Sequence, residues 1–155
     1  MRFVQIIFSF LLVVLVLGCS EKPLFSEKVD IEGSWNYSDK LSFPFEIEQL
    51  DLTYDMIFSL TYGRDFGYQN IYVKILTLYP SGEETEDILS LNLTDGTGIF
   101  LGDCNSSKCE IDILLQEKFK FKEKGKYVIT VIQNGRSENL EHIYGAELKL
   151  FTSSK

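Results

Sequence analysis

The sequence predicts an all-β fold: a two-sheet β-sandwich of jelly-roll or immunoglobulin-like type, set behind an N-terminal signal. Apolar residues recur at every second position in one stretch after another beyond residue 40, the period of a half-buried strand. The breaks between those stretches carry Gly, Pro, Asp and Asn, the residues of tight turns. Helical periodicity is confined to residues 113–123, and the second half of that stretch alternates like a strand.

Residues 1–18 read as a signal peptide. Met1 and Arg2 form a short basic lead, and Phe3 to Gly18 is an apolar run with no acid. A bilayer-spanning helix needs about 20 apolar residues, so the run has the proportions of a secretory leader instead. It ends in Val16-Leu17-Gly18-Cys19-Ser20, where a small residue directly before a cysteine resembles the bacterial lipobox. On that reading Cys19 is the lipidation site. Its thiol takes the diacylglycerol, cleavage makes it the new N-terminus, and acyl chains such as palmitate anchor the protein to the cell membrane. An uncleaved N-terminal anchor is the alternative. Each buried methylene adds about 0.8 kcal/mol, so two or three chains on one residue hold a protein to a membrane essentially permanently. Ser20 lacks the aspartate that favours inner-membrane retention in some bacteria, which points to the outer membrane of the cell envelope. Residues 19–30 then form the lipidated N-terminus and a polar tether, with Pro23 opposing a continuing helix. Residues 31–155 form the sandwich domain.

Within that domain, Phe43, Phe45 and Ile47 share one strand face, and Tyr54, Met56, Phe58, Leu60 and Tyr62 share the next. From Asn70 to Tyr79, Ile71, Val73 and Ile75 oppose Tyr72, Lys74 and Leu76, the two-sided pattern of a central strand. Asp87 to Leu93 alternates again, Ile99 to Gly102 reads as a short strand, and Lys126 to Gln133 and Ala146 to Thr152 complete the set. Gly63 to Gly67, Pro80 to Glu84, Thr94 to Gly98 and Glu123 to Lys126 supply the turns. Eight or so short strands at regular spacing indicate the sandwich.

The three cysteines divide accordingly. With Cys19 lipidated, Cys104 and Cys109 remain, separated by a polar turn, and an oxidising envelope makes them a natural disulfide pair. A metal reading of the pair lacks ligands, since His142 is the single histidine. No cofactor is implied. Removing 18 of the 155 residues leaves 137, and the loss of Arg2 takes the net charge from −8 to −9, which argues against a nucleic-acid partner.

Catalysis finds little support. His142 lies in an expected surface connection with no nucleophile motif beside it, and an exposed histidine is the plainer reading. The acidic run Glu83-Glu84-Thr85-Glu86-Asp87 reads as a solvated turn in preference to a glycosidase pair or a weak Ca²⁺ site. Arg64, Tyr68, Asn70, Gln133 and Arg136 are the more informative set. They fall at strand ends, where arginine forks pair with carboxylates or carbonyls, so they either lock loops to strands or contact a partner protein. Trp35, Tyr37 and Tyr72 open a second class, a carbohydrate-binding module, if they share an exposed face; a lone tryptophan is more often buried.

The order lipobox, then Tyr54, Leu60, Arg64 and Tyr68-Gln69-Asn70, then Leu93 to Gly102, resembles the GldH family of gliding-motility lipoproteins. Gly125-Lys126-Tyr127, Gln133 to Arg136 and Leu140 to Leu148 extend the resemblance to the C-terminus. Two departures stand out: Phe100 where a tryptophan is common, and the Cys104 and Cys109 pair. The resemblance implies a non-enzymatic lipoprotein of the bacterial cell envelope, an accessory to gliding motility linked to type IX secretion. Its implied partners are envelope motility or secretion proteins. A lipid-anchored carbohydrate-binding module is the alternative, and a hydrolase comes third.

Overall fold

The computed structural model describes residues 22–153. The signal and Cys19 lie outside the described residues. Nine strands follow in chain order: β1 (Phe25–Asn36), β2 (Leu41–Ile47), β3 (Tyr54–Gly63), β4 (Asn70–Leu78), β5 (Glu84–Asn92), β6 (Asp103–Cys104), β7 (Lys108–Phe119), β8 (Gly125–Gln133) and β9 (Asn139–Thr152). They form two antiparallel sheets, one in the order β1-β9-β3-β7-β6 and the other β2-β8-β4-β5. Apart from the β4–β5 and β6–β7 hairpins, every connection crosses from one sheet to the other. With β6 set aside as a two-residue addition, this is the eight-stranded jelly roll, which decides between the two sandwich types the sequence left open.

Alternation places the core. β2 buries Leu41, Phe43, Phe45 and Ile47 and exposes the residues between them. The inward face of β3 carries Tyr54, Met56, Phe58, Leu60 and Tyr62, all buried. β4 adds Ile71, Val73 and Ile75, β8 adds Tyr127, Ile129 and Val131, and β9 adds Ile143, Ala146, Leu148 and Leu150. Near the N-terminal end of β1 the core becomes aromatic. Phe25 lies 5.4 Å from Phe45, Phe45 stacks on Tyr127 at 5.7 Å, and Phe121 sits 4.8 Å from Tyr127 and 5.1 Å from Tyr54. The outer face of the larger sheet is polar. There Ser26 donates to Glu147, Lys149 bridges Glu147 and Asp112, and Ser59 donates to Asp112, so four strands are laced together.

Four elements differ from the sequence expectation. β1 starts at Phe25, inside the stretch expected as tether, because its backbone pairs with β9 from Phe25–Leu150 onward. Residues 113–123 contain no helix; most belong to β7, whose consecutive Ile113, Leu114 and Leu115 imitate helical spacing while Leu114 points outward, half exposed. Ile99 to Gly102 forms no strand, only a bridge between Thr94 and Phe100. His142 lies within β9, at an irregularity where its φ is +66°, and not in a surface connection.

Candidate functional site at the loop end

The register sorts the connections by end. Tyr62 pairs with both Cys109 and Ile143, and Gly33 pairs with Ile143, so the end of β1, the end of β3 and the starts of β7 and β9 lie together. In the second sheet Leu41 pairs with Val131, Val73 with Gln133 and Asn70 with Asn92. The connections 37–40, 64–69, 93–107 and 134–138 therefore gather at one end of the sandwich. The start of β1 and the connections 48–53, 79–83 and 120–124 occupy the other. Arg64, Tyr68, Asn70, Gln133, Arg136 and the two cysteines all fall at the first of these, the loop end.

Polar contacts pin these loops. In the first, the Trp35 indole donates to the Asp39 carbonyl at 3.0 Å, and the Tyr37 hydroxyl donates to the Gly135 carbonyl at 2.6 Å. Trp35 itself is fully buried, so it offers no platform for a sugar ring. In the 134–138 loop, buried Gln133 accepts from the Gly135 amide at 2.9 Å and donates to the carbonyls of Ser137 and Glu138 at 3.2 and 2.8 Å. Asp95 accepts from the amides of Thr97 and Ile99 and from the Thr97 hydroxyl. Those bonds, the Thr97 hydroxyl first, hold its carboxyl below the usual carboxylate range. Asn105 accepts from the amides of Ser107 and Lys108 in the same way, closing the turn of the β6–β7 hairpin.

Backbone hydrogen bonds also join loop to loop. The Gln69 carbonyl accepts from the amides of Leu93 and Thr94 at 2.8 and 3.1 Å, and the Arg64 amide donates to the Ser107 carbonyl at 3.1 Å. Beneath them Tyr62 is buried, with its hydroxyl donating to the Leu93 carbonyl at 3.1 Å and its ring packed on Phe66 and Phe100. Burial raises the Tyr62 phenol above its ordinary value. The Cys104 and Cys109 sulfurs are bonded, joining directly paired residues of β6 and β7. Gly102 is required beside them, since a Cβ there would meet the Glu110 carbonyl oxygen at 2.3 Å.

The five sequence candidates share this end but divide in role. Gln133 and Asn70 are structural: the Asn70 amide donates to the Ser90 hydroxyl at 2.7 Å. Arg64 is exposed, and its guanidinium reaches the Asn105 carbonyl only at 3.5 Å, too long to hold a loop firmly. Tyr68 is half exposed with its ring edge on Phe66, and Arg136 is exposed. His142 rests against Asp65, with Nδ1 and Oδ2 3.2 Å apart. Sequence reasoning missed the exposed Ile99 and Leu101 and the contribution of Tyr37. Isolated apolar residues in a Gly-rich loop were the available signal. A surface depression of about 810 Å³ lies beside Leu101, Asp103 and Lys108 at this end.

The arrangement offers hydrogen-bonded loops that expose Ile99 and Leu101 beside Tyr68, Arg64 and Arg136, and tyrosine and arginine are residue types enriched at protein interfaces. A match to the GldH lipoprotein family covers residues 24–149, nearly all of the described sandwich. The chain belongs to the GldH lipoprotein family. Membership makes it a lipid-anchored protein of the cell envelope. Among its relatives, the gliding motility lipoprotein GldH homolog of Christiangramia forsetii is 26% identical over 139 residues, covering 86% of this chain and 84% of that protein. The gliding motility lipoprotein GldH of Flavobacterium johnsoniae is 22% identical over 136 residues, covering 85% and 84%. Among solved structures, a carbohydrate-binding module specific for non-crystalline cellulose aligns at a TM-score of 0.41 and 7% identity, covering 82% of this chain and 70% of that one. Tripeptidyl peptidase 2 aligns at 0.44 and 10% identity over 83% of this chain and 10% of that one.

Proposed function

We propose that this lipoprotein is a non-enzymatic accessory component of gliding motility, linked to type IX secretion, that acts by protein–protein contact through its loop end. Cys19 carries the lipid and holds the protein at the outer membrane, residues 1–18 being removed as signal peptide. The observation that carries the reading is the set of pinned loops presenting Arg64, Tyr68, Arg136, Ile99 and Leu101 away from the strand start nearest the anchor. Loops ordered before contact lose little entropy on binding, which favours a docking role. A β3-length strand spans about 33 Å, so the loop end stands well clear of a membrane at the other end.

Crosslinking and mass spectrometry in cells, with the Cys19 anchor intact, tests this. The wild-type protein is expected to recover envelope motility or secretion proteins. Arg64→Lys with Arg136→Lys is expected to lose them at unchanged protein abundance, since lysine replaces a planar fork with a point charge. Recovery of no envelope machinery by the wild type, or unaltered crosslinks in the variant, defeats the proposal. Disappearance of the variant protein instead assigns the arginines to architecture.

A further inference from the structure

Five of the chain's 15 basic residues fall within nine positions, Lys118-Phe119-Lys120-Phe121-Lys122-Glu123-Lys124-Gly125-Lys126, in a protein of net charge −8. The structure makes this run a single basic stripe around the β7–β8 turn. Phe119 and Phe121 turn inward, 4.9 Å apart, with Phe119 6.2 Å from Tyr54 and Phe121 5.8 Å from Phe45. The intervening lysines are all exposed, and among the described residues none is within ion-pair distance of a carboxylate. At Lys118 the backbone takes a left-handed φ of +47°, and its amide donates to Asp55 Oδ1 at 2.6 Å, so the stripe begins at a pinned irregularity. The one acid in the run, Glu123, accepts from the Ser81 hydroxyl at 3.0 Å.

The same aromatic cluster holds the start of β1, through Phe25 on Phe45. Leu24, 59% exposed, lies beside it. The chain toward Cys19 therefore leaves from the end that bears the stripe. Five residues lie between Cys19 and Phe25, and the six steps along the chain reach about 20 Å at full extension. We infer that the lysine stripe of the β7–β8 turn lies on the anionic phospholipid surface into which the anchor inserts, setting the tilt of the sandwich and turning its loop end away from the membrane. The inference rests on the lipidated N-terminus proposed above. Glu48, Asp51 and Glu83 in the neighbouring loops, with Glu84 at the start of β5 and Glu46 opposite Lys126, confine the contact to the stripe. Lysines near an anionic surface are attracted individually, and the attraction fades within a Debye length of about 8 Å at physiological salt.

The test uses the full lipidated chain in vesicles of phosphatidylcholine alone and of phosphatidylcholine with phosphatidylglycerol. Flotation reports attachment, and an amine-reactive label read by peptide mass spectrometry reports each lysine. Lys118 to Lys126 are expected to label about five-fold less on the anionic vesicles at low salt, with labelling restored at high salt. Lys40 and Lys108 at the loop end label alike on both. Flotation with both vesicle types and equal labelling of the stripe overturns the inference and leaves the anchor standing. Flotation with anionic vesicles alone keeps the stripe and removes the anchor. Flotation with neither removes both.

Discussion

Gln133 is 1% exposed, yet its amide satisfies one donor and two carbonyls of the loop that follows it. Gln133→Ala leaves those groups without a partner and opens a small void beside Val131. The expected loss is about 2–3 kcal/mol, read as a lowered midpoint in thermal unfolding followed by circular dichroism. Gln133→Glu is expected to be no better, since it replaces the donating nitrogen with an oxygen facing two carbonyls. An unchanged midpoint in both variants contradicts this role. Asp112 makes a second residue-scale case. Burial alone would raise its carboxyl, but the bonds from Ser59 and Lys149 outweigh that and hold it low. A carboxyl lowered in the folded state stabilises above its unfolded value and loses that contribution as pH falls through the folded one. Stability is thus expected to decline as pH drops below about 4, and more gently in Asp112→Asn, a comparison that urea titrations across pH 2–6 can make. An equal decline in both proteins removes Asp112 from the account.

At the scale of elements, β6 is two residues long and owes its place to the hairpin and the Cys104–Cys109 bond. A ring closed over so few residues constrains the unfolded chain little, so Cys104→Ser with Cys109→Ser is expected to cost about 2 kcal/mol. The larger effect should be local: amide exchange at residues 101–108 is expected to accelerate while β3 and β9 keep their protection. Uniform acceleration along the chain argues that the bond supports the whole sandwich. The cysteine pair and its polar turn are legible in sequence because spacing and compartment suffice to read them. β2, β3 and β4 are legible because in each the residues turned to the core are apolar at every second position. β1 is not, since Glu27 occupies an inward position and its pairing with β9 spans the length of the domain. β7 is hidden by Leu114, an outward apolar residue between two inward ones, and by the irregularity at Lys118. Of the loop-end residues, Arg64 and Gln133 stand out by type and position. Their division into exposed fork and buried brace depends on which carbonyls the fold brings near, and residue type does not carry that.

At the scale of the molecule, the first strand pairs with the last over most of its length, and β3 sits between β9 and β7. The larger sheet cannot close until β9 is available, and apart from the β4–β5 and β6–β7 hairpins the strand pairing is remote in sequence. Loop-closure entropy must be met before such contacts reward it, which places two-state folding of sandwiches in the millisecond-to-second range. Trp35 offers a direct probe. It is the only tryptophan, is fully buried in β1, and bonds to the β1–β2 loop. Its burial depends on β9 pairing, because Trp35 faces Leu140 in the register. Tryptophan fluorescence and far-ultraviolet circular dichroism are therefore expected to report one coincident transition on urea unfolding, and one slow phase on refolding. A chain ending at Glu138, which lacks β9, is expected to show solvent-exposed tryptophan emission without urea. Native-like emission from that truncated chain means that the remaining strands bury Trp35 without their central partner. That outcome defeats the dependence of the sandwich on its first-to-last pairing.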